Sequence, residues 1–270
     1  MPLTDNSAWQ PPILRHKRYD QPSTFAPENL LREARRQKGL EEKQVPAVCV
    51  LDPDGDIVRH LVAAGEAQRN PYWACYHTDM YDVMDEGVEF GIVGRAVGAS
   101  FAVLVAEEMF AAGCSLLISV TSAGQIQALD EPPYFLLIEQ ALRDEGTSYH
   151  YLPPSEYVGI DDDLQARVSN TFSNNPVPVY SGTVWTTDAP FRETAFAVEK
   201  AKAAGIHAVE MEAAALYAFA QARKKPVVCF AHVTNQMAQV EGDFEKGVDA
   251  GSRDALQLIR AMATDLRSMV

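Results

Sequence analysis

No run of apolar residues in this sequence approaches the length of about 18 that a membrane-spanning helix needs. The first residues, Met1 to Asp5, lack the basic start and apolar stretch of a secretory signal, so none is expected. Cysteine is sparse: Cys49, Cys75, Cys114 and Cys229 are widely spaced and form no C-x-x-C pair. Cys49, Cys114 and Cys229 lie in or beside apolar runs, and read as reduced core residues of a cytoplasmic protein. Positive charge is short as well. Lys and Arg number 23 against 37 Asp and Glu, a net charge of −14, which argues against nucleic acid or an anionic membrane as a partner. An anionic small ligand would need a local basic pocket. The histidines (His16, His60, His77, His150, His207 and His232) show no metal-ligand spacing. A Walker loop, a G-x-S-x-G elbow and a dinucleotide fingerprint are all missing, so metal, nucleotide-hydrolysis and nicotinamide mechanisms have no support.

What is present suffices for one large α/β domain: 270 residues, 47% of them hydrophobic. Residues 1–45 stand apart as a polar arm with five prolines, Pro2 among them, and the basic cluster Arg15-His16-Lys17-Arg18. Within the arm, residues 27–39 predict a short helix, with Pro in its first turn and Gly at its end. Its apolar stripe (Leu30, Leu31, Ala34) is thin, so it is expected as an amphipathic cap on the surface or against a neighbouring subunit. Nearly unbroken apolar runs predict strands at 45–51, 88–93, 115–120, 177–185 and 226–233. Helices are predicted after the 52–55 turn and at 99–112, about 135–142, 163–172, 196–204 and 247–269. Strands thus alternate with helices, and polar groups gather where strands end. That is the layout of an α/β sheet with a ligand at the carboxyl edge of its strands.

The most informative stretch is Val209-Glu210-Met211-Glu212-Ala213-Ala214-Ala215-Leu216-Tyr217. Two acids flank a methionine, and a helix of small residues follows at once. Carboxylates suit a helix start, where the first N–H groups are unpaired and the dipole end is positive. An ionised carboxylate there also accepts two donors well, as sugar hydroxyls would offer. By composition alone, a plain pair of capping acids and a sugar-binding pair stand about even. Other strand ends carry similar double readings. Gly55-Asp56-Ile57-Val58-Arg59 combines a tight turn, a helix start and an Arg, the parts of an anion site or of a solvated surface turn. Thr121-Ser122-Ala123-Gly124 offers hydroxyls and a Gly that lets backbone approach a ligand, or an ordinary strand-end turn.

V-E-M-E-A-A-A-L-Y resembles the signature of the nucleoside phosphorylase family, which includes uridine phosphorylase and the bacterial purine nucleoside phosphorylases. The resemblance extends over about residues 45–265. It implies an αβα domain of three layers around a mixed central sheet, occupying residues 46–270 behind the arm. It implies cleavage of a nucleoside's N-glycosidic bond, with inorganic phosphate as co-substrate and no cofactor. Carried over, Met211 and Glu212 would hold the ribose with Glu210 beside them. Gly55, Arg59 and Ser122 would hold phosphate. Thr186-Thr187-Asp188-Ala189-Pro190-Phe191-Arg192 looks like the family's base-binding loop, lengthened by one residue at Pro190. There, Trp185 or Phe191 would stack on the base, and Arg192 would bond a pyrimidine carbonyl or steady the leaving base. Gly124 and Asn235 would complete the base site. Arg59, Glu212 and Arg192 would carry the catalytic work. On this view Glu212→Ala abolishes turnover with little loss of fold.

Two departures from the family pattern matter. Ser119 stands where phosphorylases usually have an Arg, and a further Arg lent by a neighbouring subunit has no obvious match, with His77 or Arg95 the candidate stand-ins. Asn235 replaces the Asp with which purine-type members protonate the base, and it cannot act as an acid. Arg143 to Ser148 also resembles the uridine-type branch, as a brace for the site. The expected activity is therefore phosphorolysis of uridine or a related pyrimidine nucleoside. The alternatives are a nucleosidase that uses water, with Asp54 or Asp56 as base, and a non-catalytic nucleoside-binding homologue. By analogy the chain would form a homo-oligomer built on dimers, up to a hexamer.

Overall fold

The computed structural model describes residues 10–172, 177–237, 241–244 and 246–265. The arm's first nine residues, with Pro2, and the end of the expected last helix beyond 265 lie outside them. In chain order the elements are α1 (Pro27–Lys38), β1 (Val48–Asp52), α2 (Asp56–Ala64), β2 (Ala67–Arg69), β3 (Tyr81–Asp85), β4 (Val88–Gly94), α3 (Ala99–Ala111) and β5 (Leu116–Gln125). Then follow β6 (Tyr134–Asp144), β7 (Tyr157–Gly159), α4 (Asp162–Phe172), β8 (Val179–Thr187), α5 (Ala195–Ala203), β9 (Ala208–Glu210), α6 (Ala213–Arg223), β10 (Val227–Asn235) and α7 (Ser252–Asp265).

Among the described residues, the ten strands join one mixed sheet, in the order β10-β6-β8-β9-β5-β1-β4-β3-β2, with β7 alongside β6. β5 also pairs with β10, so β5, β10, β6, β8 and β9 close on themselves. β1, β4, β5 and β10 run parallel to their neighbours in this group, and their carboxyl ends share one edge. Helices cover the sheet in two groups: α3 packs on α1 and α6, and α7 packs on α2 and α4. Helix α6 owes its place to its small residues. Ala213, Ala214, Ala215 and Ala218 are all buried and let the helix lie close on the sheet, while Tyr217 reaches through to the Ile138 carbonyl at 2.5 Å.

Three expectations are corrected. Residues 135–142 form the strand β6, not a helix. Phe135-Leu136-Leu137-Ile138 is a short apolar run that periodicity alone cannot divide between a buried helix and a buried strand. Long-range pairing decides it, antiparallel to β10 on one side and parallel to β8 on the other. Strand β5 does not stop at residue 120 but continues through Thr121-Ser122-Ala123-Gly124 to Gln125, because β9 and β10 supply ladder partners to its end. The last helix starts at Ser252 instead of 247, since Gly247, Asp249, Ala250 and Gly251 all have positive φ. The thin stripe of α1 is put to use: Leu31 and Ala34 are buried against the body of the protein, where α1 meets α3. All four cysteines are free and buried, and among the described residues no helix is long and apolar enough to cross a membrane.

Candidate active site

The junction of β9 and α6 anchors the site. Glu210 ends the strand, and its Oε2 accepts hydrogen bonds from the amides of Glu212 (2.7 Å) and Ala213 (2.8 Å). Its Oε1 accepts the Thr186 hydroxyl, and the Thr186 oxygen in turn accepts the Ala214 amide at 3.0 Å. Glu210 therefore satisfies the orphan donors at the start of α6. Met211 is half-buried beside it. Glu212 is 1% exposed and points to different elements. Its Oε1 accepts the Gly98 amide at 2.6 Å, and its Oε2 accepts the Thr121 hydroxyl at 2.8 Å. Burial pushes both carboxyls up, and the charge of Glu210 pushes Glu212 further. Two hydrogen bonds leave about half of a carboxylate's roughly four lone-pair positions for a ligand.

The turn before α2 lies at the same edge. Gly55 sits at φ 76° and donates its amide to Asp52 Oδ1 at 3.0 Å, while Asp52 Oδ2 accepts the Val58 amide at 2.9 Å. Asp52 thus caps α2 from below, and burial raises its carboxyl to about 6. Arg59 pairs with Asp56 and opens onto a cavity of about 520 Å³ that Gly55, His77, Arg95 and Phe101 also line. Ser122 offers its amide on β5, but Asp54 Oδ2 holds it at 3.0 Å. Asp54 is bridged by Lys246 at 3.4 Å, and Lys246 reaches Asp56 at 2.5 Å. A cavity of only about 20 Å³ remains between Asp54, Ser122 and His232. His232 stacks on Phe135 at 4.6 Å, and its imidazole is lowered to about 4, first by burial and then by Lys246. Ser119 is 1% exposed within β5, and its hydroxyl finds no partner among the described residues.

On the other side, Gly124 pairs with Val209 of β9 and with Asn235 of β10. A Cβ at Gly124 would stand 3.3 Å from Met237 Cγ and 3.4 Å from the Asn235 Oδ1, so a side chain there would fill the space between these residues. Asn235 is held firmly, donating to Thr234 Oγ1 at 3.0 Å and accepting the Met237 amide at 2.7 Å.

The structure thus brings Glu210, Met211, Glu212, Ser122, Gly124 and Asn235 to one edge, with Gly55 and Arg59 next to them across Asp54 and Asp56. Four of the expected residues sit differently. Trp185 is buried, donates to Asp144 at 3.0 Å, and packs with Ile126, Ile206 and Val209. Phe191 is 99% exposed and Arg192 is exposed, both on the turn Pro190–Arg192 after β8. Arg143 is spent on Ser148 (2.8 Å), Pro153 (2.7 Å) and Ser155 (2.6 Å), which ties its own loop together. Lys246 had no signal in the sequence: it lies in no motif, and only the fold carries it to Asp54 and Asp56. The amide of Gly98 was equally silent, being a backbone group in a turn.

A model of the phosphorylase superfamily matches residues 47–264. The chain belongs to that superfamily. A guanosine phosphorylase from Halorubrum lacusprofundi is 28% identical over 166 residues, 61% of this chain and 67% of that protein. The fold is similar to that of uridine phosphorylase from Vibrio fischeri, with a TM-score of 0.69 and 22% identity, covering 84% of this chain and 95% of that one. It is similar also to purine nucleoside phosphorylase from Toxoplasma gondii, with a TM-score of 0.70 and 14% identity, covering 84% and 93%.

Proposed function

We propose that the protein cleaves the N-glycosidic bond of a nucleoside with inorganic phosphate as the acceptor, releasing free base and ribose 1-phosphate. The observation that carries this reading is Glu212, a buried carboxylate fixed by Gly98 and Thr121 beside Met211, with lone pairs left for sugar hydroxyls. Cleavage gives the sugar oxocarbenium character; burial and Glu210 raise the Glu212 carboxyl to about 8, and donors from the sugar hydroxyls bring it back towards the ionised form that stabilises charge of that sign and orients the hydroxyls. Gly55, Arg59 and Ser122 receive phosphate once Asp54 gives up the Ser122 amide. Phe191, being free in solution, supplies a ring for the base more readily than Trp185, whose faces are packed. Arg192 steadies charge on the departing base, and Gly124 and Asn235 border it.

A pyrimidine base, as in uridine, is the preferred substrate, because Asn235 cannot protonate a purine. A dimer-based homo-oligomer is proposed by analogy with the family alone. The four buried free thiols fit work in a reducing cytoplasm. The test is base release from uridine, thymidine, inosine and guanosine with and without phosphate. Phosphate-dependent release, fastest with a pyrimidine nucleoside, is the expected outcome; release unaffected by phosphate would overturn it.

A second reading has its own observation. Asp54 already occupies the Ser122 amide that phosphate would use, and Ser119 brings no guanidinium. With water as nucleophile, Asp54 would be the base and ribose the product.

A further inference from the structure

A protein of net charge −14 repels anions over most of its surface. Phosphate therefore depends on cations concentrated at one place, and most groups at this edge are already spent. Arg59 is paired with Asp56, Lys246 is shared between Asp54 and Asp56, and Ser119 has no charge. Arg95 is different. It follows the last residue of β4, and among the described residues it forms no ion pair. It lines the same cavity of about 520 Å³ as Arg59 and His77. The carboxylate on that wall, Asp79, is bonded to Arg69 at 3.0 Å.

Arg95 is also held in place. Its backbone has φ 66°, a left-handed conformation that a residue with a side chain seldom adopts, and its amide is fixed to the Asp52 carbonyl at 2.9 Å. Its side chain lies flat on the turn before α2. A Cβ at Gly55 would come within 2.9 Å of Arg95 Cγ and 3.5 Å of its Nε. Glycine at position 55 thus gives the guanidinium its path across the turn. Three residues further on in the same loop, the Gly98 amide holds Glu212 at 2.6 Å. A single short loop touches the turn before α2 with one residue and the Glu212 carboxylate with another.

We propose that Arg95 is a phosphate-binding residue of this chain, supplying from the β4–α3 loop the guanidinium that Ser119 does not. This rests on the phosphorolytic reading above. A guanidinium there offers planar, paired donors to phosphate oxygens, and the Gly98 amide of the same loop holds the carboxylate proposed to bind the sugar.

The test compares wild type with Arg95→Gln, Arg95→Lys and Arg95→Gly. The glycine variant removes the guanidinium while easing the backbone at φ 66°, so a loss shared by Gln and Gly is not a folding loss. The expected result is a KM for phosphate raised by about 10- to 100-fold in Gln and Gly, less in Lys, with the nucleoside KM within about twofold. An unchanged phosphate KM in all three, with wild type phosphate-dependent, overturns the role of Arg95 and leaves the phosphorylase reading standing. If wild type needs no phosphate, that reading fails by itself, and titration calorimetry with inorganic phosphate then decides. Binding by wild type that is lost in Arg95→Gln supports the site, and no binding by wild type overturns it.

Discussion

The Glu212 carboxylate accepts the Thr121 hydroxyl at 2.8 Å, across 91 positions of chain, and so joins the start of α6 to the middle of β5. The sequence suggested that Glu212→Ala would spare the fold. The geometry predicts otherwise. Alanine would strand the Gly98 amide and the Thr121 hydroxyl, and each unsatisfied buried group costs about 1–3 kcal/mol. Against this runs the relief of removing a buried acid whose carboxyl is pushed up by burial and by Glu210. We expect Glu212→Ala to lose turnover by at least about 100-fold and to unfold at lower denaturant, and Glu212→Gln to lose turnover with a smaller loss of stability. Full activity in Glu212→Gln would remove the residue from the site.

Asp54 divides the two nucleophiles. If phosphate is the acceptor, Asp54 competes with it for the Ser122 amide, held at 3.0 Å. Asp54→Ala should then lower the KM for phosphate by about three- to tenfold, since a charge-assisted contact no longer has to be displaced. If water is the nucleophile, the same variant loses its base and falls by about 100-fold or more. Steady-state kinetics over a phosphate series separates the cases.

Asp52 predicts a pH dependence of stability. Burial raises its carboxyl from 3.8 to about 6. Below about pH 4 it is protonated in both folded and unfolded chains. Between about 4 and 6 the folded chain binds the extra proton, so stability falls as pH rises through this window and levels off above it. The contribution lost is about 3 kcal/mol. Asp52→Asn does not titrate, so urea unfolding at pH 4 and pH 7 should differ less for this variant than for wild type. An equal difference in the two proteins would refute the assignment.

Asn235 predicts a gain of function. It accepts the Met237 amide and touches Thr234 Oγ1, contacts that a carboxyl can also make if the threonine hydroxyl turns to donate. Asn235→Asp should therefore fold normally and gain cleavage of inosine or guanosine, most at mildly acidic pH where the new acid carries a proton. Purine cleavage no better than wild type across pH 5 to 8 would count against Asn235 as the selector.

Much of this was legible in the sequence, and the rest was hidden for definite reasons. The β9–α6 junction was readable because a strand, two acids and a run of alanines are consecutive. β1, β4, β5 and β10 announced themselves as apolar runs. β6 did not, because Phe135 to Ile138 is too short a run to show a period and its identity comes from β8 and β10. The Asp54–Ser122 contact spans 68 positions and the Lys246–Asp56 contact 190, so no local pattern records either. Glu210 and Glu212 looked alike as acids two residues apart. The fold gives them separate work, one capping α6 and the other facing Gly98 and Thr121.

The most direct test of the central claim is the identity of the sugar product from uridine and phosphate, followed by phosphorus NMR as uracil appears. The account predicts a ribose 1-phosphate resonance growing in step with uracil, and no uracil when phosphate is left out. Uracil released at the same rate without phosphate, with free ribose beside it, would contradict it.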